Sequence, residues 1–293
     1  MIEIKELTKT FGPKVAADNL TLTIGSGISG LVGENGAGKS TLFRLISNVY
    51  EQDKGTITID GFNNDSKEAK SKLFFLADEP FFSAGDTPES LYKTYNVFYD
   101  VDHDKYISIL SKFNLPIKNR LQTFSKGMKR QTFIALSLAT KVDYLLMDEA
   151  FDGLDPLVLD SIKEEIIEKA SSGTSIIISS HNISSLERLA DRFIILYKGK
   201  LANEKENEDL AQNMVKLQLY FKNEVTEEDF AKIPTEVVSF KKIGSIINVV
   251  VKENDTYEKD IKSLGEAIIF ERIPIDREEA VKLLLLAARK GVK

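Results

Sequence analysis

The sequence predicts an α/β fold, followed by a small α+β domain, for this 293-residue chain. Short apolar, β-branched segments alternate with helical patterns as far as about residue 201, which is typical of α/β proteins. A glycine-rich loop follows one of the apolar segments, and a different order of strands and helices begins near residue 217. The length also corresponds to roughly two domains. We therefore expect one domain over residues 1–207 and a second over residues 208–293.

The elements of the first domain are read from hydrophobic patterns. Residues 2–7 form a short apolar segment, and residues 20–24 alternate as a half-buried strand does. An apolar run over 28–32 leads into the glycine-rich loop, residues 56–59 are β-branched, and the runs at 142–147 and 175–179 are typical of buried parallel strands.

Helical segments separate these strands. Asp155 followed by Pro156 predicts a cap and first turn of a helix that continues to about residue 169. Residues 80–140 are mostly helical in pattern, with a helix start at Thr87–Pro88. We therefore expect a helical insertion, over about 80–140, between two strands of the sheet.

The second domain has its own pattern. Residues 202–213 are polar and charged and predict a linker or a solvated helix. Strands are expected over 217–221, 237–240, 246–251 and 267–273, and helices over 227–232, 257–264 and 276–290, the last opened by a capping box of Asp276 and Glu279. The order βαββαβ is that of the ferredoxin-like arrangement, with a helix appended. Residues 283–286 are expected to face a core.

Composition excludes several kinds of site. The chain has no Cys and two His, so thiolate zinc sites, disulfides, Cys nucleophiles and multi-histidine metal centres are ruled out. The formal charge of −6 disfavours a nucleic-acid partner. No apolar run approaches the ~20 residues of a membrane span, and the charged N-terminus is unlike a signal peptide. We expect a cytoplasmic protein.

Residues 33–40 match the phosphate-loop pattern G-x-x-x-x-G-K-[ST]. The matching run is Gly33, Glu34, Asn35, Gly36, Ala37, Gly38, Lys39 and Ser40, with Thr41 next in the following helix. Glycines let backbone N–H groups surround phosphate oxygens, the lysine supplies positive charge, and the serine hydroxyl is a Mg²⁺ ligand. The positive end of the helix dipole points at the same phosphates. The strand before and the helix after the loop make a chance match improbable, so we expect nucleotide binding.

Two carboxylates end the apolar run at 142–147. Asp148 is in a position to hold Mg²⁺, as an aspartate does in phosphate-loop ATPases. Glu149 follows, and such a carboxylate orients an attacking water or accepts its proton. Alone the pair is a weak signal, since strand ends are often solvated, but together with the phosphate loop it predicts a hydrolytic site.

Over residues 1–201 the chain resembles the ATP-binding subunit of an ABC transporter. Phe124–Met128 (FSKGM) resembles the signature peptide, usually LSGGQ, with Ser125 and Gly127 matching. Residues 151–155 (FDGLD) resemble the loop that crosses the dimer interface, and the resemblance gives Asp155 the key position there. In the same way it makes Phe11 the adenine-stacking residue and His181 the switch histidine that contacts the γ-phosphate. A core Phe, an ordinary helix cap at Asp155 and a structural His are the alternatives, and His103 is interpreted as solvated.

One position departs from the family pattern. Asp78 lies where the family usually has a glutamine that contacts Mg²⁺ and water, and an aspartate also offers oxygen to the metal. Phe81 and Phe82 follow closely. They are expected either to line a groove for a cytoplasmic helix of the membrane partner or to pack the helical insertion.

The resemblance implies an ATP hydrolase of the export or multidrug type that powers a separate membrane permease. ATP and Mg²⁺ are its cofactors. Lys39, Glu149 and His181 would be catalytic, Ser40, Asp148 and Asp78 would hold the metal, and Ser125 and Gly127 would close the site of a second subunit in a homodimer or heterodimer. The protein would lie on the inner face of the membrane.

The alternative is an ABC-type ATPase acting on nucleic acid or ribosomes, which the acidic balance and the single phosphate loop disfavour. A sensing scaffold that does not hydrolyse ATP is disfavoured by Glu149 and His181.

Overall fold

The computed structural model describes residues 1–202 and 213–291, except the side chains of residues 277–278 and 287–291. The chain divides into two compact units, Met1–Leu201 and Ala202–Lys293. Most of the expected linker, and the expected boundary between residues 207 and 208, fall within 203–212 and so lie outside the described residues. Each unit is described by itself.

The first unit alternates strands and helices, as its sequence predicts. Its strands are β1 (Ile2–Phe11), β2 (Lys14–Ile24), β3 (Ile28–Val32), β4 (Lys54–Ile59), β5 (Phe62–Asn63), β6 (Leu73–Leu76), β7 (Tyr144–Met147), β8 (Ser175–Ser180), β9 (Arg192–Tyr197) and β10 (Lys200–Leu201). Its helices are α1 (Lys39–Ile46), α2 (Lys67–Ser71), α3 (Pro88–Tyr95), α4 (His103–Lys112), α5 (Lys126–Ala139) and α6 (Pro156–Ser171).

The strands of this unit form two sheets. The larger has the order β10-β9-β3-β8-β7-β6, and β9, β3, β8, β7 and β6 run parallel. β3, β7 and β8 are buried along their whole length, which explains why their sequences are mostly apolar and why their serines, such as Ser179, are buried. The smaller sheet is antiparallel, with the order β2-β1-β4-β5. The α/β prediction is confirmed; β6 and β9, and the division into two sheets, are not part of the sequence-based expectation.

A core joins the two sheets around α1. It packs apolar residues of β1, β2 and β4 against helix residues Leu42 and Phe43 and against Leu31 and Ile177 of the parallel sheet. Because β3, β8, β7 and β6 run parallel, their carboxyl ends all lie at the same edge of the sheet. This edge carries the residues of the candidate site.

The helical insertion lies between β6 and β7, which pair directly in the sheet. A capping box of Thr87 and Ser90 opens α3, Asp102 caps α4 and Ser125 caps α5. His103 begins α4 with its side chain about half exposed, and its ring meets Tyr92 edge-on. Helices α3, α4 and α5 all lie between residues 88 and 139, within the segment for which the sequence predicts a helical insertion.

The second unit is a four-stranded antiparallel sheet with helices. Its elements are β11 (Met214–Phe221), α7 (Glu227–Phe230), β12 (Val237–Ile243), β13 (Ile246–Lys252), α8 (Tyr257–Lys262), β14 (Ala267–Ile273) and α9 (Arg277–Gly291). The sheet order β12-β13-β11-β14 places β13 between the first two strands of the unit, which is the ferredoxin-like arrangement. Leu217, Val249 and Ile261 belong to its core.

The last helix covers part of the sheet's other face. Leu283 is buried with Met214 and Val250. The Glu279 N–H donates to Asp276 at 2.7 Å, but the Glu279 carboxylate binds Lys216 at 2.6 Å. One half of the expected capping box is therefore present. Among the described residues, no helix is long and apolar enough to cross a membrane.

Candidate nucleotide site

The phosphate loop connects buried β3 to α1 through a backbone that requires glycine at two positions. A Cβ on Gly33 would lie 2.3 Å from the Leu196 carbonyl, and one on Gly38 would lie 2.4 Å from the Ala16 carbonyl. Gly38 also has φ +111°, in the left-handed region. Glu34, Asn35 and Gly36 are exposed, whereas Ala37 is buried. The loop therefore presents its backbone to solvent directly before the N-terminus of α1, where anions bind well.

Lys39 lies under this loop. Its Nζ donates to the Gly33 carbonyl at 2.8 Å and forms an ion pair with Glu149 Oε1 at 3.1 Å, and the side chain is 5% exposed. Carbonyl and carboxylate partners hold the ammonium in place, so it is available to phosphate oxygens at the mouth of the loop.

Asp148 ends β7 and is fully buried. Its Oδ1 accepts a hydrogen bond from Ser179 Oγ at 2.6 Å, whereas Oδ2 has no hydrogen-bond partner. Burial raises the pKa of Asp148, and the hydroxyls of Ser179 and Ser40 oppose this shift. A buried carboxylate oxygen without a donor, beside a serine hydroxyl, fits an oxygen-ligated cation such as Mg²⁺.

Glu149 adopts a left-handed backbone conformation with φ +44°. This is uncommon for a residue with a side chain and is characteristic of constrained functional positions. The Glu149 N–H donates to Ser179 Oγ at 2.9 Å, so one buried hydroxyl contacts both residues of the acidic pair. Ser179 is not among the site residues predicted from the sequence, because its contacts form only when the ends of β7 and β8 lie side by side.

His181 is brought to Glu149 after β8. Its Nδ1 lies 3.1 Å from Glu149 Oε2, and its backbone N–H donates to the same oxygen at 3.2 Å. Glu149 thus bridges Lys39 on one side and His181 on the other, and His181 is about half exposed. Asp152 lies 3.8 Å from the same ring nitrogen. The arrangement places a carboxylate and an imidazole in contact with each other where solvent reaches the imidazole.

Asp78 lies on the segment after β6, and its Oδ1 forms an ion pair with Arg130. Its negative charge also contributes to the raised pKa of Asp148, so the two carboxylates lie at the same sheet edge. Arg130 was not a sequence candidate. A charged residue within the apolar face of α5 was the available signal, because such residues are rarely buried without a partner.

The signature-like peptide begins α5. Ser125 is exposed and caps the helix, accepting the Met128 N–H at 3.1 Å, and Phe124 is buried. A Cβ on Gly127 would lie 3.4 Å from the Gly153 carbonyl, so this peptide is next to the FDGLD loop. Asp155 accepts the Leu157 N–H at 2.9 Å and so forms the expected cap of α6. No described contact brings Ser125, Gly127 or Asp155 to the phosphate loop.

Phe11 and Phe81 are exposed apolar residues. Phe11, 43% exposed, contacts Tyr50 edge-on, with 5.4 Å between ring centroids, so it is not a core residue. Phe81 is 84% exposed. Phe82 is half-buried against Phe133 and lies under the Lys129 ammonium. A cleft of about 470 Å³, the aromatic cleft, is lined by Phe81, Phe82 and Phe133 and by the basic residues near the start of α5.

The fold and this cluster of residues define a phosphate-loop nucleotide-binding protein. Comparison with known proteins specifies the family. The ABC transporter family model matches residues 17–152. The lantibiotic transport ATP-binding protein SrtF of Streptococcus pyogenes is 31% identical over 231 residues, which are 78% of this chain and 99% of SrtF.

Two further similarities support membership of the same family. The ABC transporter ATP-binding protein YtrB of Bacillus subtilis is 26% identical over 289 residues, covering 95% of this chain and 96% of YtrB. A solved ATP-binding subunit of an ABC transporter superposes with a TM-score of 0.64 at 26% identity, over 69% of this chain and 88% of that one. The chain belongs to the family of ABC transporter ATP-binding proteins, and it is an ATP hydrolase of that family.

Proposed function

We propose that this ATPase powers a separate membrane permease and that the transport is export. The observation that carries the proposal is the set of contacts that Glu149 makes: its carboxylate contacts both Lys39 of the phosphate loop and His181. The preceding residue, Asp148, has a buried carboxylate oxygen without a hydrogen-bond partner, which fits a bound cation. A site that only bound nucleotide would not need a carboxylate and an imidazole at the edge where water enters.

Each site residue has a specific part in this proposal. Lys39 and the amides of the loop hold the phosphates, and Phe11 stacks on the adenine. Ser40 and Asp148, with Asp78 as a further candidate, would hold Mg²⁺, which neutralises charge on the phosphate oxygens when bound. Glu149 orients water and accepts its proton, and His181 supports it.

The second half of the site would come from another ABC ATPase, identical or related. Gly127 lies next to Gly153 of the FDGLD loop, and the two helix caps Ser125 and Asp155 are exposed, which supports a role for these two segments across a dimer interface. Closure of two subunits around ATP would couple binding to movement, because a ligand shifts a conformational equilibrium by binding one state more tightly.

The proposed location is the inner face of the cell membrane, where the aromatic cleft would receive the permease. Phe81 supplies an exposed apolar anchor, and Lys126 and Lys129 supply positive charge beside it. Export is supported by the similarity to a lantibiotic transport protein and by the FSKGM and Asp78 variants. The second unit has no role in this proposal.

Purification of the tagged chain from its host in mild detergent tests the partner. We expect a multi-spanning membrane protein to co-purify with the wild type and to be lost from Phe81→Ser. Phe98→Ser is the matched control, because Phe98 is 76% exposed on the same insertion but does not line the cleft. Recovery of ribosomes or nucleic acid alone would contradict the proposal.

Direction is tested with a strain lacking the gene. The strain should become more sensitive to membrane-active peptides, and the wild-type chain, but not Glu149→Gln, should restore resistance. Unchanged resistance together with lost accumulation of a nutrient would contradict export.

A further inference from the structure

The feature that the assigned site leaves unexplained is Arg130, a cation inside the apolar face of α5. Arg130 is 4% exposed and is the first of the ten consecutive buried residues with which α5 ends. Arginine is almost never this buried without a compensating anion. Position 130 therefore depends on its partners in a way that an exposed lysine of the same helix, such as Lys126, does not.

Within the described parts of the chain, Arg130 has one acidic partner. Its Nη2 pairs with Asp78 Oδ1, and its Nη1 lies 3.5 Å from the backbone carbonyl of Asp148. Asp78 is about half exposed, so water reaches its carboxylate as well. Loss of the ion pair would therefore leave Arg130 as a buried cation without an anion, whereas the Asp78 carboxylate would stay in contact with water.

The two partners of Arg130, Asp78 and Asp148, lie at the ends of neighbouring strands. Asp148 follows β7, Asp78 follows β6, and the two strands are paired neighbours whose ends are joined by the Asp148 N–H to Leu76 carbonyl bond at 2.8 Å. Arg130 reaches this edge from α5, one turn after the signature-like peptide. One guanidinium on the helix that Ser125 caps therefore contacts both Asp78, which lines the aromatic cleft, and the end of the acidic strand.

We propose that Arg130 is a positioning residue that fixes the segment 77–82 against the end of β7, so that the aromatic cleft, the acidic pair and the signature-like helix keep one relative arrangement. It acts through Asp78 and the Asp148 carbonyl and touches no reacting atom. Arginine suits this task because its planar fork serves two acceptors at once.

The consequence for coupling rests on the proposed function. Displacement of Phe81 by a partner would be transmitted to Asp148 through Asp78 and Arg130, since the ion pair lies between them. A purely structural ion pair would contribute to stability without restricting the segment or affecting turnover.

Hydrogen exchange of the full-length chain without nucleotide tests the positioning directly. We expect Arg130→Met and Asp78→Asn each to speed amide exchange in segment 77–82 by roughly 10-fold, with the amides of α1 unchanged. Glu79→Gln is the matched control, since it removes an exposed neighbouring carboxylate that has no described ion pair. Exchange within 2-fold of wild type in both variants, or an equal increase in Glu79→Gln, would overturn the proposal. If Arg130→Met does not fold, Asp78→Asn alone decides.

Steady-state kinetics supply a second readout. We expect each single variant to lower kcat by about 10-fold with KM for ATP changed less than 3-fold, Arg130→Lys to restore part of kcat, and the double variant to be no slower than the slower single one. Losses that multiply to about 100-fold would show that the two residues act separately. These assays need no permease, so a failed membrane co-purification and a failed Arg130 result are distinguishable.

Discussion

Replacement of Ser179 by alanine removes the one hydroxyl that serves both residues of the acidic pair. Ser179 is fully buried, donates to Asp148 Oδ1 at 2.6 Å and accepts the Glu149 N–H at 2.9 Å. Without it Asp148 has two buried oxygens lacking a donor instead of one. The bond to a charged group is worth about 1.5–3 kcal/mol and the bond to the N–H about 1 kcal/mol. We therefore expect the free energy of unfolding of the first unit to fall by about 2.5–4 kcal/mol.

The effect on turnover follows from the position of Glu149. Its left-handed backbone conformation is held in part by the bond to Ser179, and a shift of a catalytic group by about 1 Å costs roughly 100-fold in rate. We expect kcat for Ser179→Ala to fall roughly 10- to 100-fold, equivalent to about 1.4–2.7 kcal/mol. Ser179→Thr keeps the hydroxyl and should recover most of kcat, although its extra methyl lowers stability in a packed strand.

Phosphate release under saturating ATP, with thermal unfolding measured on the same preparations, checks both numbers. Ser180→Ala is the control, because Ser180 is also buried but bonds Asn182 and Ser185 rather than the acidic pair. If Ser179→Ala keeps kcat within 2-fold of wild type, or loses no more than Ser180→Ala, the reasoning about a shared hydroxyl is refuted.

Three further outcomes are expected. Glu149→Gln should bind a fluorescent ATP analogue with near-normal affinity while kcat falls roughly 100-fold or more, and near-normal hydrolysis would remove Glu149 from the catalytic role. Gly38→Ala should abolish binding of that analogue, because its Cβ would meet the Ala16 carbonyl at 2.4 Å at φ +111°; wild-type affinity would show that the loop accommodates a side chain. Burial lowers the pKa of Lys169 to about 8, so the folded state binds fewer protons than the unfolded state between pH 8 and the ordinary lysine value. Wild-type stability should therefore rise relative to Lys169→Met by about 2 kcal/mol from pH 7.5 to 9.5 in urea unfolding, and a pH-independent difference would contradict the shift.

The elements that sequence patterns predict well are those whose pattern reflects burial on both faces. β3 spans 28–32 as expected, and β7 and β8 match the apolar runs closely, because strands that are buried on both faces are rich in apolar residues. The antiparallel sheet and the added strand β9 were harder to foresee, since they depend on which segments pair across long stretches of chain.

In the second unit, too, the order of the elements is easier to predict from the sequence than the contacts between distant residues. Its order of strands and helices could be read from the sequence, and the ferredoxin-like pairing confirms that reading. The capping box at Asp276 is half formed, because Lys216, 63 residues away, binds the carboxylate of Glu279. A distant lysine in the folded chain competes successfully with a local interaction.

The sequence by itself determined the phosphate loop and the acidic pair, because each is a run of adjacent residues, and it determined the family because several such short motifs follow one another in order along the chain. Only the tertiary structure decided that Ser179 serves both carboxylate residues and that Arg130 pairs with Asp78, contacts that join positions 30 to 52 residues apart. The physical reason is that a buried polar group forms hydrogen bonds with the donors or acceptors that lie within about 3 Å of it in the folded chain. For these residues that partner comes from a neighbouring strand or helix rather than from the adjacent sequence.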